Sequence, residues 1–89
     1  MIEVFFSSNF KRVYKKRIAG NHEREMSFRE KLARFTNEPF TPSLRTHKLS
    51  GDLAGLWSFR IEYDLRIIFQ FTKDGKAVFL DLGTHNDVY

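Results

Sequence analysis

The chain has 89 residues, with 15 Lys plus Arg against 11 Asp plus Glu, a net charge of +4 and no cysteine. It is therefore expected to form one domain over residues 1–89, and disulfides, thiolate metal sites and cysteine nucleophiles are excluded together. Hydrophobic residues make up 42% of the chain and aromatics 16%, ten of them Phe, so large rings can fill a small core and the composition argues against intrinsic disorder.

Residues 1–6 are too few and too charged for a signal peptide, and no apolar run approaches the roughly 18 residues of a membrane span. A soluble, cytoplasmic protein with no membrane partner is expected. Residues 1–48 carry eleven Lys or Arg against five acids, net +6, whereas residues 49–89 carry four against six, net −2. The positive half holds the cluster Lys11, Arg12, Lys15, Lys16 and Arg17, followed by Arg24, Arg29, Lys31, Arg34, Arg45 and Lys48. Such a density either marks phosphate binding, driven by counterion release, or is a solvated helix face.

In chain order, Ile2, Val4 and Phe6 alternate with Glu3 and Phe5, the period of a short strand. Ser7, Ser8 and Asn9 offer capping oxygens to a helix whose inward residues are Phe10, Val13, Tyr14 and Ile18. Gly20 and Asn21 break the chain before a second helix from about His22 to Thr36, with Phe28, Leu32 and Phe35 on its apolar stripe. Residues 37–43, with Pro39 and Pro42, read as a surface loop. In 56–63 the residues Trp57, Phe59, Ile61 and Tyr63 alternate with Ser58, Arg60 and Glu62, and in 65–72 Leu65, Ile67, Phe69 and Phe71 alternate with Arg66, Ile68, Gln70 and Thr72. Asp74-Gly75 is a tight-turn signal leading to a strand over 77–82. The order β-α-α-β-β-β predicts an α+β fold, a helical hairpin packed on one face of a mostly antiparallel twisted sheet whose other face is free to work.

That free face gathers the chemistry. With Phe59 and Ile67 turned inward, Arg60 and Arg66 share the opposite surface, where guanidiniums suit phosphate by bidentate hydrogen bonding and permanent charge. Alternatively, Arg60 pairs with an acid such as Glu62 or Asp81 and is structural. Of the three histidines, His22 is assigned to solvent, while His47 and His85 lie at the entrance and the end of the strand region, where a scaffold carries general acids and bases, or where each is simply structural. Asp64, next to Tyr63 between the central strands, either caps a turn or orients a base. Tyr63 and Tyr89 are the rings best placed to stack on bases; burial is expected for the other twelve aromatics. No His-Glu-x-x-His, acid cluster or Gly-rich loop suggests a metal or cofactor site, and none is expected.

Four stretches together resemble a known family: Thr46-His47-Lys48-Leu49-Ser50-Gly51, Gly55-Leu56-Trp57-Ser58-Phe59-Arg60-Ile61, Tyr63-Asp64-Leu65-Arg66-Ile67-Ile68-Phe69, and Gly83-Thr84-His85-Asn86-Asp87-Val88-Tyr89. Their order is similar to that of the RelE/ParE superfamily of type II toxin–antitoxin toxins, nearest to the YafQ-like mRNA interferases. The resemblance implies a metal-independent ribonuclease that cuts mRNA in the ribosomal A site, its basic half facing ribosomal RNA, held inactive by a cognate and acidic antitoxin. It implies His85 as a candidate general acid, His47 and Asp64 as base or helper to the base, Arg66 as the stabiliser of phosphoryl charge, and Tyr89 as a substrate contact. Arg60, Lys48 and Tyr63 are added as substrate-binding candidates from their place beside these motifs. At Arg60 the YafQ-like pattern has histidine and the YoeB-like one arginine, and residues 41–46 lack the upstream glutamate of YoeB-like toxins. The ParE-like branch, which inhibits DNA gyrase by binding, needs none of His47, Asp64, Arg66 and His85, so their joint presence favours the nuclease branch.

Overall fold

The computed structural model describes residues 1–88. Strand β1 (Val4–Phe6) leads into helices α1 (Ser8–Arg17) and α2 (His22–Asn37), and β2 (His47–Lys48), β3 (Trp57–Glu62), β4 (Leu65–Phe71), β5 (Ala77–Gly83) and a single turn α3 (His85–Val88) follow. Local chemistry sets the helix ends. The Ser7 hydroxyl accepts from the Phe10 N–H at 3.0 Å, and Lys15, Lys16 and Arg17 sit in the last turn of α1, where cations offset the helix dipole. Gly20, at φ 86°, turns the chain, and the Asn21 side chain caps α2 by accepting from the Arg24 N–H at 3.1 Å. Arg24 Nη1 then donates to the Arg17 carbonyl at 2.9 Å, tying the two helices into a hairpin.

The fold is α+β, with both helices on one face of a five-stranded sheet of order β1-β5-β4-β3-β2. β1 runs parallel to β5, and the other neighbours are antiparallel. The core is a stack of rings between the layers. Phe35 of α2 stacks on Phe59 at 4.7 Å and meets Phe69 and Phe79 edge-on at 4.9 and 5.4 Å, while Phe10 of α1 meets Phe79 at 5.5 Å.

Several expectations are corrected. The sheet has five strands rather than four, because the two residues of β2 pair with β3 although they are too few to show a period. Tyr63 leaves the apolar stripe and stands 87% exposed in the β3–β4 turn. Phe5, Phe6 and Phe40 keep between 38% and 53% of their surface in water, the first two because β1 lies at the sheet edge. The outer face is not wholly open, since Ser58 and Ile68 on it are buried. Between Ile68 and Phe69 the register with β5 shifts, leaving Leu80 without a partner in β4; its carbonyl accepts instead from Asn9 Nδ2 at 2.8 Å and Ser7 Oγ at 3.3 Å.

Candidate active site

Strand register builds the site. Cross-strand partners share a face, so His47, Ser58, Ile68 and Asp81 form one row on the face away from the helices, and Arg60, Arg66 and Gly83 form the next. His47 is thus a diagonal neighbour of Arg60, about 7–8 Å away by sheet geometry. A cleft of about 240 Å3 opens here, lined by Arg45, His47, Ser58, Phe59, Arg60 and Arg66.

Arg60 and Arg66 stand directly opposite each other. Like charges so placed repel, and among the described residues neither side chain has an ion pair or hydrogen bond that would relieve it. The acids proposed as structural partners do not serve: Asp81 Oδ1 accepts from the Leu82 N–H at 2.8 Å, and Glu62 is not ion-paired to Arg60. The lining contains three arginines and no carboxylate, so its charge is positive and uncompensated.

The His47 ring is oriented by the chain just before it. Its Nδ1 lies 2.8 Å from the Arg45 carbonyl oxygen. A carbonyl only accepts, so Nδ1 carries a proton and donates, which leaves Nε2 as the ring nitrogen available to a ligand. Arg45 offers that carbonyl from the left-handed region, at φ 51° and ψ 42°, as it closes the 3-10 turn Pro42–Leu44.

The remaining candidates are dispersed around this cleft. His85, exposed at the start of α3, borders a separate cavity of about 340 Å3 with Leu49, Ser50, Asp52 and Leu53. The two cavities lie on either end of the segment that β2 begins: His47 lines one, and Leu49, Ser50, Asp52 and Leu53 line the other. Asp64 is exposed in the β3–β4 turn and does not line the cleft. Tyr63 borders a shallow depression with Lys31, Ser43 and Arg60, so Arg60 is common to that depression and the cleft. Lys48 pairs with Trp57 in register and holds its Nζ 5.5 Å from the indole centroid, on the face opposite His47. Tyr89 lies outside the described residues. Two lining residues were not singled out from sequence: Arg45, hidden in the general basic run, and Ser58, whose place opposite His47 depends on β2 pairing. Among the described residues no group of three His, Asp or Glu side chains is placed to hold a metal ion. No helix of the described residues is long and apolar enough to cross a membrane.

This arrangement of helical hairpin and mixed sheet is the fold of small bacterial toxins. It superposes on a YoeB/ParE toxin from Agrobacterium tumefaciens with a TM-score of 0.77 at 16% identity, covering 94% of this chain and 99% of that one. It superposes on YafQ from Escherichia coli with a TM-score of 0.75 at 19% identity, covering 100% and 99%. The toxin in the Escherichia coli DinJ–YafQ toxin–antitoxin complex gives 0.72 at 19% identity, covering 99% and 97%. No curated protein matches the sequence. The family model described as "Bacterial toxin of type II toxin-antitoxin system, YafQ" matches residues 2–89, and the chain belongs to that family.

Proposed function

We propose that the protein is an endoribonuclease that cleaves mRNA on the ribosome and is held inactive by a cognate antitoxin. The observation that carries this reading is the facing pair Arg60 and Arg66, two unneutralised guanidiniums beside the His47 imidazole in one cleft. An RNA phosphate between them turns their repulsion into two charge-assisted contacts. Membership of a toxin family supports the reading, and the DinJ–YafQ complex supports a protein antitoxin. The exposed Lys11, Arg12, Lys15 and Lys16 of α1 support docking on ribosomal RNA and an acidic antitoxin.

The chemistry follows from the side chains and the substrate's own ribose. His47 Nε2 takes the proton of the 2′-hydroxyl, its ring held by the Arg45 carbonyl, whereas Asp64 in the β3–β4 turn lies outside the cleft and has no part in this step. The 2′-oxygen attacks the adjacent phosphorus, and Arg66, with Arg60, binds the phosphoryl oxygens as their charge grows. The bond from phosphorus to the 5′-oxygen breaks, and His85 protonates that oxygen, leaving a 2′,3′-cyclic phosphate and a 5′-hydroxyl. That oxygen is bonded to the phosphorus held between the arginines, so this role requires the His85 ring and Arg66 to meet at one phosphate when RNA binds. Tyr63, Lys48 and Tyr89 are assigned to substrate contacts beyond the scissile phosphate.

The test is in vitro translation with the purified protein, mapping cuts on the message by primer extension. Wild type is expected to cut, and His85→Ala, with an unchanged melting temperature, is expected to lose cutting. Full cleavage by the folded variant overturns the assignment of His85. Growth arrest without mRNA cuts, insensitive to His85→Ala, would instead identify a toxin that acts by binding, as a gyrase inhibitor does.

A further inference from the structure

We propose that Arg45 is a third substrate-binding arginine of the cleft, its guanidinium contacting an RNA phosphate beside the one that Arg60 and Arg66 hold. This rests on the endoribonuclease reading of the cleft. Among the described residues Arg45 is the only non-glycine with positive φ; Gly20, Gly51, Gly55 and Gly75 occupy the others. A side chain in that region crowds its own backbone, and the turn-closing position it holds favours Gly or Asn. The carbonyl that orients His47 does not explain the arginine, because a residue of any type supplies a carbonyl. Nor does a contact within the fold explain it. Arg45 is exposed, and among the described residues its side chain has no ion pair or hydrogen bond.

What Arg45 does share is the cleft, with His47, Arg60 and Arg66 and with no carboxylate in the lining. Three guanidiniums exceed what one phosphate group neutralises. A ligand with successive phosphates satisfies all of them, and a nucleic acid backbone is such a ligand. Arg45 leads directly into His47, so a phosphate on its guanidinium fixes the ribose next to the imidazole that takes the proton.

The experiment compares full-length wild type with Arg45→Gly, Arg45→Asn and Arg45→Lys. Three readouts are taken: melting temperature, cleavage of ribosome-bound mRNA, and affinity for a single-stranded oligoribonucleotide made uncleavable by a 2′-deoxy sugar, over a salt series. Gly and Asn tolerate the left-handed backbone, so both variants are expected to melt no lower than wild type. Their kcat/KM is expected to fall about 10- to 100-fold, mainly through KM, the size of one lost charge-assisted contact. The salt dependence of binding is expected to become shallower by about 0.7 in log–log slope, and Arg45→Lys to keep the wild-type slope. Wild-type affinity and slope in Arg45→Gly overturn the proposal, and so does a lowered melting temperature in both Gly and Asn variants, which assigns the residue to the fold. A wild type that binds but never cuts fails the nuclease reading alone, because the slope still reports on Arg45.

Discussion

The face of the sheet that meets α1 and α2 and the face that carries His47, Arg60 and Arg66 come from the same strands, yet their side chains are treated in opposite ways. On the inner face every large ring finds another: Phe59, Phe69 and Phe79 all meet Phe35, and all are fully buried. On the outer face two cations are set directly opposite each other and left without a counter-charge among the described residues. One face stabilises the fold, and the other carries a repulsion that costs some stability and that a bound anion would relieve.

Two substitutions break or sharpen that contrast, and a third tests a turn away from both faces. Removing the ring at the centre of the inner face, Phe35→Ala, is expected to cost about 3–5 kcal/mol, a large part of the ~5–15 kcal/mol of a small domain. Urea denaturation measures it, and a loss under about 1 kcal/mol would mean that the ring stack does not organise the core. Arg66→Gln on the outer face is expected to leave stability unchanged or raise it by about 0.2–1 kcal/mol, while message cleavage slows by about 10²–10³-fold. A variant that is both destabilised and fully active would reverse the roles assigned to the two faces.

The smallest effect lies away from both, in the β4–β5 turn. There a hydrogen bond from the Thr72 hydroxyl, and then one from Lys76, hold the Asp74 carboxyl below its ordinary pKa. A lowered carboxylate pKa contributes stability above the unfolded value and loses it as pH falls through the folded one. Asp74→Asn is therefore expected to flatten the acid limb of melting temperature against pH. The change is slight and weakened by salt, because the pair is exposed. An unaltered acid limb would show that the turn contributes nothing measurable.

Much of this contrast is legible in the sequence, because long periodic segments state which side is apolar. The spacing of Phe10, Phe28 and Phe35 and the alternation in β3 and β4 mark the inner face, and the same alternation sends Arg60 and Arg66 outward together. What is not legible depends on pairing and backbone shape. Two residues of β2 carry no period, so the row from His47 to Ser58 exists only once β2 has found β3. The left-handed φ of Arg45 breaks the usual preference for glycine and gives no compositional signal. His85 follows β5 closely in the chain, but proximity in sequence does not fix which cavity a side chain borders, and it borders the one beyond residues 49–53 rather than the cleft.

The pairing of β1 with β5 bears on when the molecule takes shape during its own synthesis. Val4 is in register with Ala77, and Asn9 reaches the Leu80 carbonyl across 71 residues of chain. A chain emerging at about 5–20 residues per second presents β1, α1 and α2 well before the strand they pack on exists. Until then Phe5, Phe6 and Phe10 have no sheet to close against, and such high contact order makes folding slow and late. The core beneath Arg60 and Arg66 is complete only when Phe79 arrives, so an unfinished copy lacks the support for its own cleft.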